Sequence, residues 1–182
     1  MQSFTTERLL IRPLAESDKA FYISLYSDSK IMRNIGTPLT SIEATEAFTN
    51  TLTAIQKKKP EIMVWAIISL KNNNLIGLQA LYNKTPNKTP NITEIGIMLA
   101  TQFNGMLFPE EAVGSLIEYG FNHLDLQQIN ACFAKENFAT ARVAKKTGFL
   151  CDTSKQPLDS RQRIDSVYKG TWHRHYIKTI IG

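Results

Sequence analysis

The stretch TQFNGMLFPEEA, residues 101–112, places a glycine just before a helix start. Pro109 stands at the favoured first helical position, and Glu110 and Glu111 complement the positive end of the helix dipole. Such a loop offers bare backbone N–H groups to an anion, and the amides around Gly105 to Pro109 could face a phosphate. On its own the stretch fits an ordinary glycine turn equally well. Leu107, two positions after Gly105, is a bulky residue that resists positive φ, and its side chain could block an amide.

The elements around the loop give it a setting. The spacing predicts a strand at 92–100, a helix at about 109–122 and a strand at 128–135. A strand–helix–strand crossover makes those two strands parallel. The helix N-terminus then points toward the C-terminal end of the first strand, where ligands of α/β sheets are held.

Upstream, RLLIRPL (8–14) reads as a strand, 17–27 as a helix capped by Ser17 or Asp18, and 62–69 with 75–83 as an antiparallel hairpin turned at 71–74. Thr40 and Glu43 form a capping box for a helix over about 42–58, with Thr45, Phe48, Leu52 and Ile55 on one face and Lys57–Lys59 in its last turn. The tandem KTPN-KTPN (84–91) is an exposed connector. Downstream come a helix over 137–147 with Gly148 at its C′ position, a short strand at 149–151, a polar loop at 152–164 and a strand around 165–171. The expected fold class is therefore α/β (α+β). It is one domain over residues 1–182, with a mixed, mostly antiparallel sheet, one parallel pair, and helices on both faces.

Composition narrows the function. The chain has 182 residues, 43% of them hydrophobic and 20% charged, with a net charge of +5. This fits one soluble domain with a mild bias toward anionic partners, and no direct nucleic-acid binding is expected from scattered basic residues. No apolar run approaches the roughly 20 residues needed to span a bilayer, and no signal-peptide pattern opens the chain. A cytoplasmic location without membrane contact is the expectation. Cys132 and Cys151 do not make a disulfide framework, and with His123, His173 and His175 they make no metal signature. The HRH triplet at 173–175 reads as a solvated basic patch. The Asn-x-Thr sequons at Asn83, Asn87 and Asn91 are expected to stay unmodified.

The stretch ENFATARVAKKTGF, 136–149, resembles the C-terminal signature of the GNAT N-acetyltransferases. More narrowly it is similar to the RimJ/RimL group, which acetylates N-terminal amines. TERLLIRPL (6–14) resembles that group's opening strand, EIGIML (94–99) its central strand, and Gln102-x-x-Gly105 the start of its pyrophosphate loop. The four stretches stand in the family's order and cover most of the chain.

The resemblance implies a GNAT-like sheet whose parallel pair splays apart. It implies acetyl-CoA as acyl donor, coenzyme A as product, and direct transfer to a primary amine, either a protein N-terminal α-amine or a small molecule. The pantetheine arm would pair with the open edge of 94–99 like an added strand, with an oxyanion donor among the amides of Ile97, Met98 and Leu99. Gln102, Asn104, Gly105, Met106, Leu107 and Phe108 would hold the pyrophosphate. Asn137, Thr140 and Arg142 would complete the cofactor site. Asn137 equally suits an N-cap, and Thr140 a first-turn residue. Glu94 is the expected general base, although a plain strand-surface carboxylate fits the same position. An α-amine with a pKa near 8 needs only modest help from it. Trp65 and Tyr82 either line the acceptor side or belong to the core. Cys132 reads as a buried strand residue, since no covalent enzyme intermediate is needed.

The chain departs from the family pattern at three places. Leu107 stands at the second loop glycine, Met98 at the central-strand aromatic, and Ala144 at the tyrosine that serves many members as thiolate acid. Thr140 or a water would take that last role. The departures leave a second expectation open: a non-catalytic module of the same fold that binds acyl-CoA or regulates a partner.

Overall fold

The computed structural model describes residues 1–82, 91–103, 105–155, 157 and 159–182. The KTPN repeat therefore lies outside the described residues except for Asn91.

Nine strands form one sheet in the order β7-β8-β6-β5-β4-β3-β2-β1-β9. They are β1 (Ser3–Thr5), β2 (Leu9–Pro13), β3 (Ile62–Ser69), β4 (Leu75–Tyr82), β5 (Ile92–Leu99), β6 (Gln128–Ala134), β7 (Leu150–Cys151), β8 (Gln162–Tyr168) and β9 (Thr179–Ile181). All pairings are antiparallel except β5 with β6, as the crossover requires. The helices are α1 (Lys19–Ser27), α2 (Ser29–Met32), α3 (Ser41–Ile55), α4 (Phe108–His123) and α5 (Phe138–Lys146).

Strand alternation divides the core between two faces. On one face Phe4, Ile11, Trp65, Ile67, Ile95, Ile129 and Phe133 pack against Val113, Leu116 and Ile117 of α4 and Ala144 of α5. On the other, Val64, Ala66 and Leu78 pack against Tyr22 and Leu25 of α1 and Phe48 of α3. The near-continuous burial of β3, from Val64 to Ser69, follows from its position between both helical layers.

Several expectations change in detail. β1 and β9 pair with each other but are three residues long, too short to show a periodic pattern. α3 ends at Ile55, the last residue with a core to cover, so Lys57–Lys59 follow the helix rather than close it. Its capping box forms as expected, with Thr40 and Glu43 exchanging hydrogen bonds at 3.3 and 2.8 Å. Asp18 does not cap α1 through its side chain. It is buried and takes a forked ion pair from Arg12, with both contacts at 2.7 Å. The last long strand begins at Gln162 rather than near 165, because Gln162 to Tyr168 pair along the whole of β6.

The C-terminal segment is strapped over α4, and HRH is not simply a solvated patch. Glu118, buried in α4, accepts the Ile177 N–H at 3.0 Å and the Tyr176 N–H at 2.5 Å. The Tyr176 ring lies in the notch left by Gly114, and Arg174 donates to the Lys146 carbonyl at the end of α5.

Candidate active site

The parallel pairing of β5 with β6 covers only Ile92–Glu94 against Gln128–Asn130; past that point β6 is paired to β8 alone. Two hydrogen bonds fix which backbone groups of β5 face the opening. The Ala100 N–H donates to Ile76 on the β4 side at 2.9 Å, and the Asn91 carbonyl accepts from Gln128 on the β6 side at 3.3 Å. With a period of two, the Ile95 N–H closes the last rung to Asn130, the C=O of Ile95 and the N–H and C=O groups of Ile97 and Leu99 point into the gap, and those of Gly96 and Met98 point to β4. Of the three expected oxyanion donors, the Ile97 and Leu99 amides thus face the gap. The Met98 amide does not; Met98 packs its side chain beside the α1/α3 core.

The loop leaving β5 contains a one-turn 3-10 helix, Thr101–Phe103, and then reaches α4. Gly105 has φ 80° and Leu107 φ 59°, while Met106 between them is not in that region. Alternation of this kind turns successive N–H groups toward one point and builds an anion-binding concavity. The expectation that Leu107 would not take positive φ is overturned: it is left-handed at φ 59°, ψ 11°, and serves as the N-cap of α4 without any side-chain hydrogen bond. A left-handed leucine costs roughly 1–2 kcal/mol relative to its normal backbone. Its side chain is 54% exposed and so turned outward. Gln102 and Met106 are exposed as well. Phe108 is buried, edge-on to Phe103, so only its backbone is available to a ligand. Asn104 lies outside the described residues.

At the start of α5, Asn137 Oδ1 accepts the Thr140 N–H at 3.1 Å, which makes Asn137 the N-cap and leaves its amide nitrogen for another partner. Ala144 is buried in the core. Arg142 lines a hollow of about 470 Å3 with Lys145, Cys151, Arg163 and Asp165, apart from the loop. A second hollow, of about 500 Å3, adjoins Leu107 and Glu110, and Arg8 and Lys146 line it as well. Its lysines and arginine are in ion pairs: Arg8 with Glu111 at 2.6 Å, Lys146 with Glu110 at 3.1 Å and Lys178 with Glu7 at 3.5 Å, and His175 Nδ1 lies 3.6 Å from Glu118 Oε1. Glu111 was expected only to complement the helix dipole; it is instead buried and tied to Arg8 and Thr6.

Glu94 stands on the opposite sheet face, the one carrying α1 and α3, and it sits where the parallel pairing ends. It is half-buried. Tyr82 is its direct cross-strand partner and hydrogen-bonds to it, the phenol donating to the carboxylate. The Tyr82 hydroxyl reaches over Gly96, where a Cβ would stand 2.8 Å from it. Burial first, then the charge of Glu94, holds the Tyr82 phenol far above its ordinary pKa. Tyr26 of α1 is shifted in the same direction, again chiefly by burial, with Tyr22 stacked on it at 4.3 Å. Cys132 is half-buried on the same face as Glu94, with its thiol 3.2 Å from Gln162 Oε1. Trp65 is fully buried on the α4 face, its indole N–H donating to the Gln2 carbonyl at 3.1 Å, so it is a core residue. Next to Glu94, Asn130 Oδ1 receives Lys155 Nζ at 3.0 Å and Ser166 Oγ at 2.9 Å, and Asp152 pairs with Lys155 at 2.9 Å. Among the described residues no helix is long and apolar enough to cross a membrane.

Arg8 and Lys146 were missed as neighbours of the loop. Both lie inside stretches quoted for the family resemblance, but their contacts join elements distant in sequence, and no local pattern marks such contacts.

Residues 8–150 match the family model of the acetyltransferase (GNAT) domain. The uncharacterized N-acetyltransferase YnaD of Bacillus subtilis is 30% identical over 144 residues, which cover 79% of this chain and 80% of YnaD. Among solved structures, an acetyltransferase from Agrobacterium tumefaciens superposes with a TM-score of 0.78 at 20% identity, covering 92% of this chain and 95% of that one. The spermidine N-acetyltransferase of Vibrio cholerae, solved with CoA and spermine, gives 0.72 at 21% identity, covering 89% and 96%. With its sheet splayed at β5 and β6 and the family's sequence pattern over most of its length, the chain belongs to the GNAT acetyltransferase family and is an N-acetyltransferase.

Proposed function

We propose that the chain works as one acetyltransferase domain that uses acetyl-CoA to acetylate a primary amine. The RimJ/RimL-like stretches favour the α-amine of a polypeptide as acceptor. The observation that carries this reading is the position of Glu94, a half-buried carboxylate held by Tyr82 at the mouth of the β5/β6 opening.

The residues present suit the cofactor. The Ile95 carbonyl and the carbonyls and amides of Ile97 and Leu99 face a gap that none of the described strands fills, as an amide-bearing arm requires. Beyond them the Gly105–Leu107 turn aims N–H groups toward an anion at the start of α4. Asn137 offers its free amide nitrogen, and Thr140 its hydroxyl, at the start of α5. Acetyl-CoA supplies the acetyl group and leaves as the thiol.

Glu94 takes the proton of the incoming ammonium, directly or through a water, and leaves a neutral amine to attack. The Ile97 and Leu99 amides are the donors placed to meet negative charge developing on the acyl oxygen. Tyr82 stays protonated throughout and orients the base. With Ala144 buried where many relatives carry an acid, Thr140 or a water returns a proton to the thiolate.

Thermal shift with acetyl-CoA, followed by thiol release across N-terminal peptides, polyamines and aminoglycosides, tests the reading. Stabilisation by millimolar acetyl-CoA and turnover with a peptide α-amine are expected. Absence of any shift would sink the acetyl-CoA assignment, and turnover with small amines alone would sink the α-amine preference.

A further inference from the structure

Arg8 lies 98 residues before Met106 in sequence, yet its guanidinium closes over the turn that precedes α4. Nε donates to Glu111 Oε2 at 2.6 Å and Nη1 to the Met106 carbonyl at 2.9 Å, and the guanidinium carbon lies 4.5 Å from the centroid of the Phe108 ring. These contacts fall on both sides of Leu107. The anchor beneath them is firm: Glu111 Oε1 is held by the Thr6 hydroxyl at 2.5 Å and the Arg8 N–H at 2.8 Å.

Leu107 needs such a hold. Its left-handed backbone is sterically costly for a leucine and free of cost for glycine, and no side-chain hydrogen bond caps the helix there. Conformations of this kind persist only where the surroundings over-determine them. We propose that Arg8 is the positioning residue that keeps the 105–107 turn in its anion-facing form, in place of a glycine at position 107. An arginine suits the task because one planar fork reaches a carboxylate and a carbonyl together and stacks on a ring, which an ammonium does not do. The consequence for catalysis rests on the acetyl-CoA reading above; the hold on the turn does not.

Arg8→Ala would leave the Glu111 carboxylate buried without a counter-charge and threaten the fold. Arg8→Lys keeps a cation there and is the variant to use. Acetyl-CoA affinity is measured by calorimetry for wild type, R8K, L107G and the double variant. Loss of the Met106 contact and the stack is expected to weaken binding about tenfold in R8K. Leu107→Gly in the R8K background is expected to restore affinity to within about twofold of wild type, because glycine adopts the turn unaided. A general loss of stability would not be repaired in that way. Equal affinity of R8K and wild type, or a loss that Leu107→Gly leaves untouched, overturns the proposal. A second readout needs no ligand. The Glu111 N–H donates to the Leu107 carbonyl at 3.3 Å, and its exchange with solvent in the free protein is expected to quicken several-fold in R8K. Unchanged exchange overturns the hold on the turn. If wild type itself does not bind acetyl-CoA, the functional reading fails, and the exchange rate alone decides the role of Arg8.

Discussion

Tyr82 and Glu94 face each other directly across the β4/β5 ladder, and the phenol of one hydrogen-bonds to the carboxylate of the other. The pair sits where the parallel pairing of β5 stops, which puts the proposed base at the mouth of the β5/β6 opening. Glu94→Gln keeps the shape and an acceptor for Tyr82 but removes the proposed base. It is expected to lower kcat/KM by about 10²–10³ at neutral pH, within the range of general-base contributions. Acetyl-CoA affinity should stay within twofold of wild type. Tyr82→Phe frees the carboxylate to rotate and should cost about tenfold in kcat. Full activity of the glutamine variant would remove Glu94 from the mechanism.

The same burial links tyrosines to alkaline stability. Tyr26 and Tyr82 have folded pKa values raised above the ordinary value of 10.0, in each case first by desolvation. A raised pKa means the folded protein keeps protons that the unfolded chain releases. The contribution is thus whole below pH 10 and lost as pH rises beyond it. Unfolding free energy should fall by up to about 1.4 kcal/mol per pH unit for each phenol above that point. Denaturant titrations at pH 9, 10 and 11 on wild type and Tyr82→Phe check this. The variant should lose stability less steeply above pH 10, and parallel slopes would refute the assignment.

The sequence made the sheet and the crossover legible because both rest on local signals. β3 is a continuous apolar run, Thr40 and Glu43 form a capping box, and Pro109 with two glutamates marks the start of α4. The loop at 101–108 shows locally as a glycine turn before a helix start, whereas Glu94 and Asn137 come forward only through the resemblance of the stretches that carry them. The left-handed Leu107 was not legible, because local sterics argue against it and the contacts that hold it come from Arg8. Burial of Glu111 beneath that arginine, and of Glu118 beneath the C-terminal strap, was equally hidden. Both residues occupy helix positions where exposed acids are common, and each is satisfied by a segment far away in the chain. β1 and β9 are three-residue strands that depend on each other, so neither carries a pattern of its own.

That strap gives a stability test. A Cβ at Gly114 would stand 2.4 Å from the Tyr176 ring, too close for any relaxed contact. Gly114→Ala should therefore cost about 1–3 kcal/mol by forcing the ring out of its notch, read as a melting temperature lower by roughly 2–4 °C per kcal/mol. In a Tyr176→Ala background the same substitution should become neutral or gain up to about 1 kcal/mol, the helix preference of alanine over glycine. Equal losses in both backgrounds would show that Tyr176 is not what the missing side chain makes room for.

Asn137 offers a way to separate holding a helix from holding a cofactor. Its Oδ1 accepts the Thr140 N–H at 3.1 Å, so the oxygen serves the helix and the nitrogen remains for a ligand. Aspartate supplies the same oxygen and is as good an N-cap, but it has no donor and adds a negative charge to the proposed site of an anionic cofactor. Asn137→Asp should therefore keep stability within about 0.5 kcal/mol while weakening acetyl-CoA binding roughly tenfold or more, through the lost donor and the repulsion together. Asn137→Ala should lose about 1 kcal/mol of stability and weaken binding less than the aspartate does, because it introduces no like charge. Chemical denaturation and calorimetry on the two variants decide it. If both bind acetyl-CoA as wild type does and differ only in stability, Asn137 is a helix cap alone.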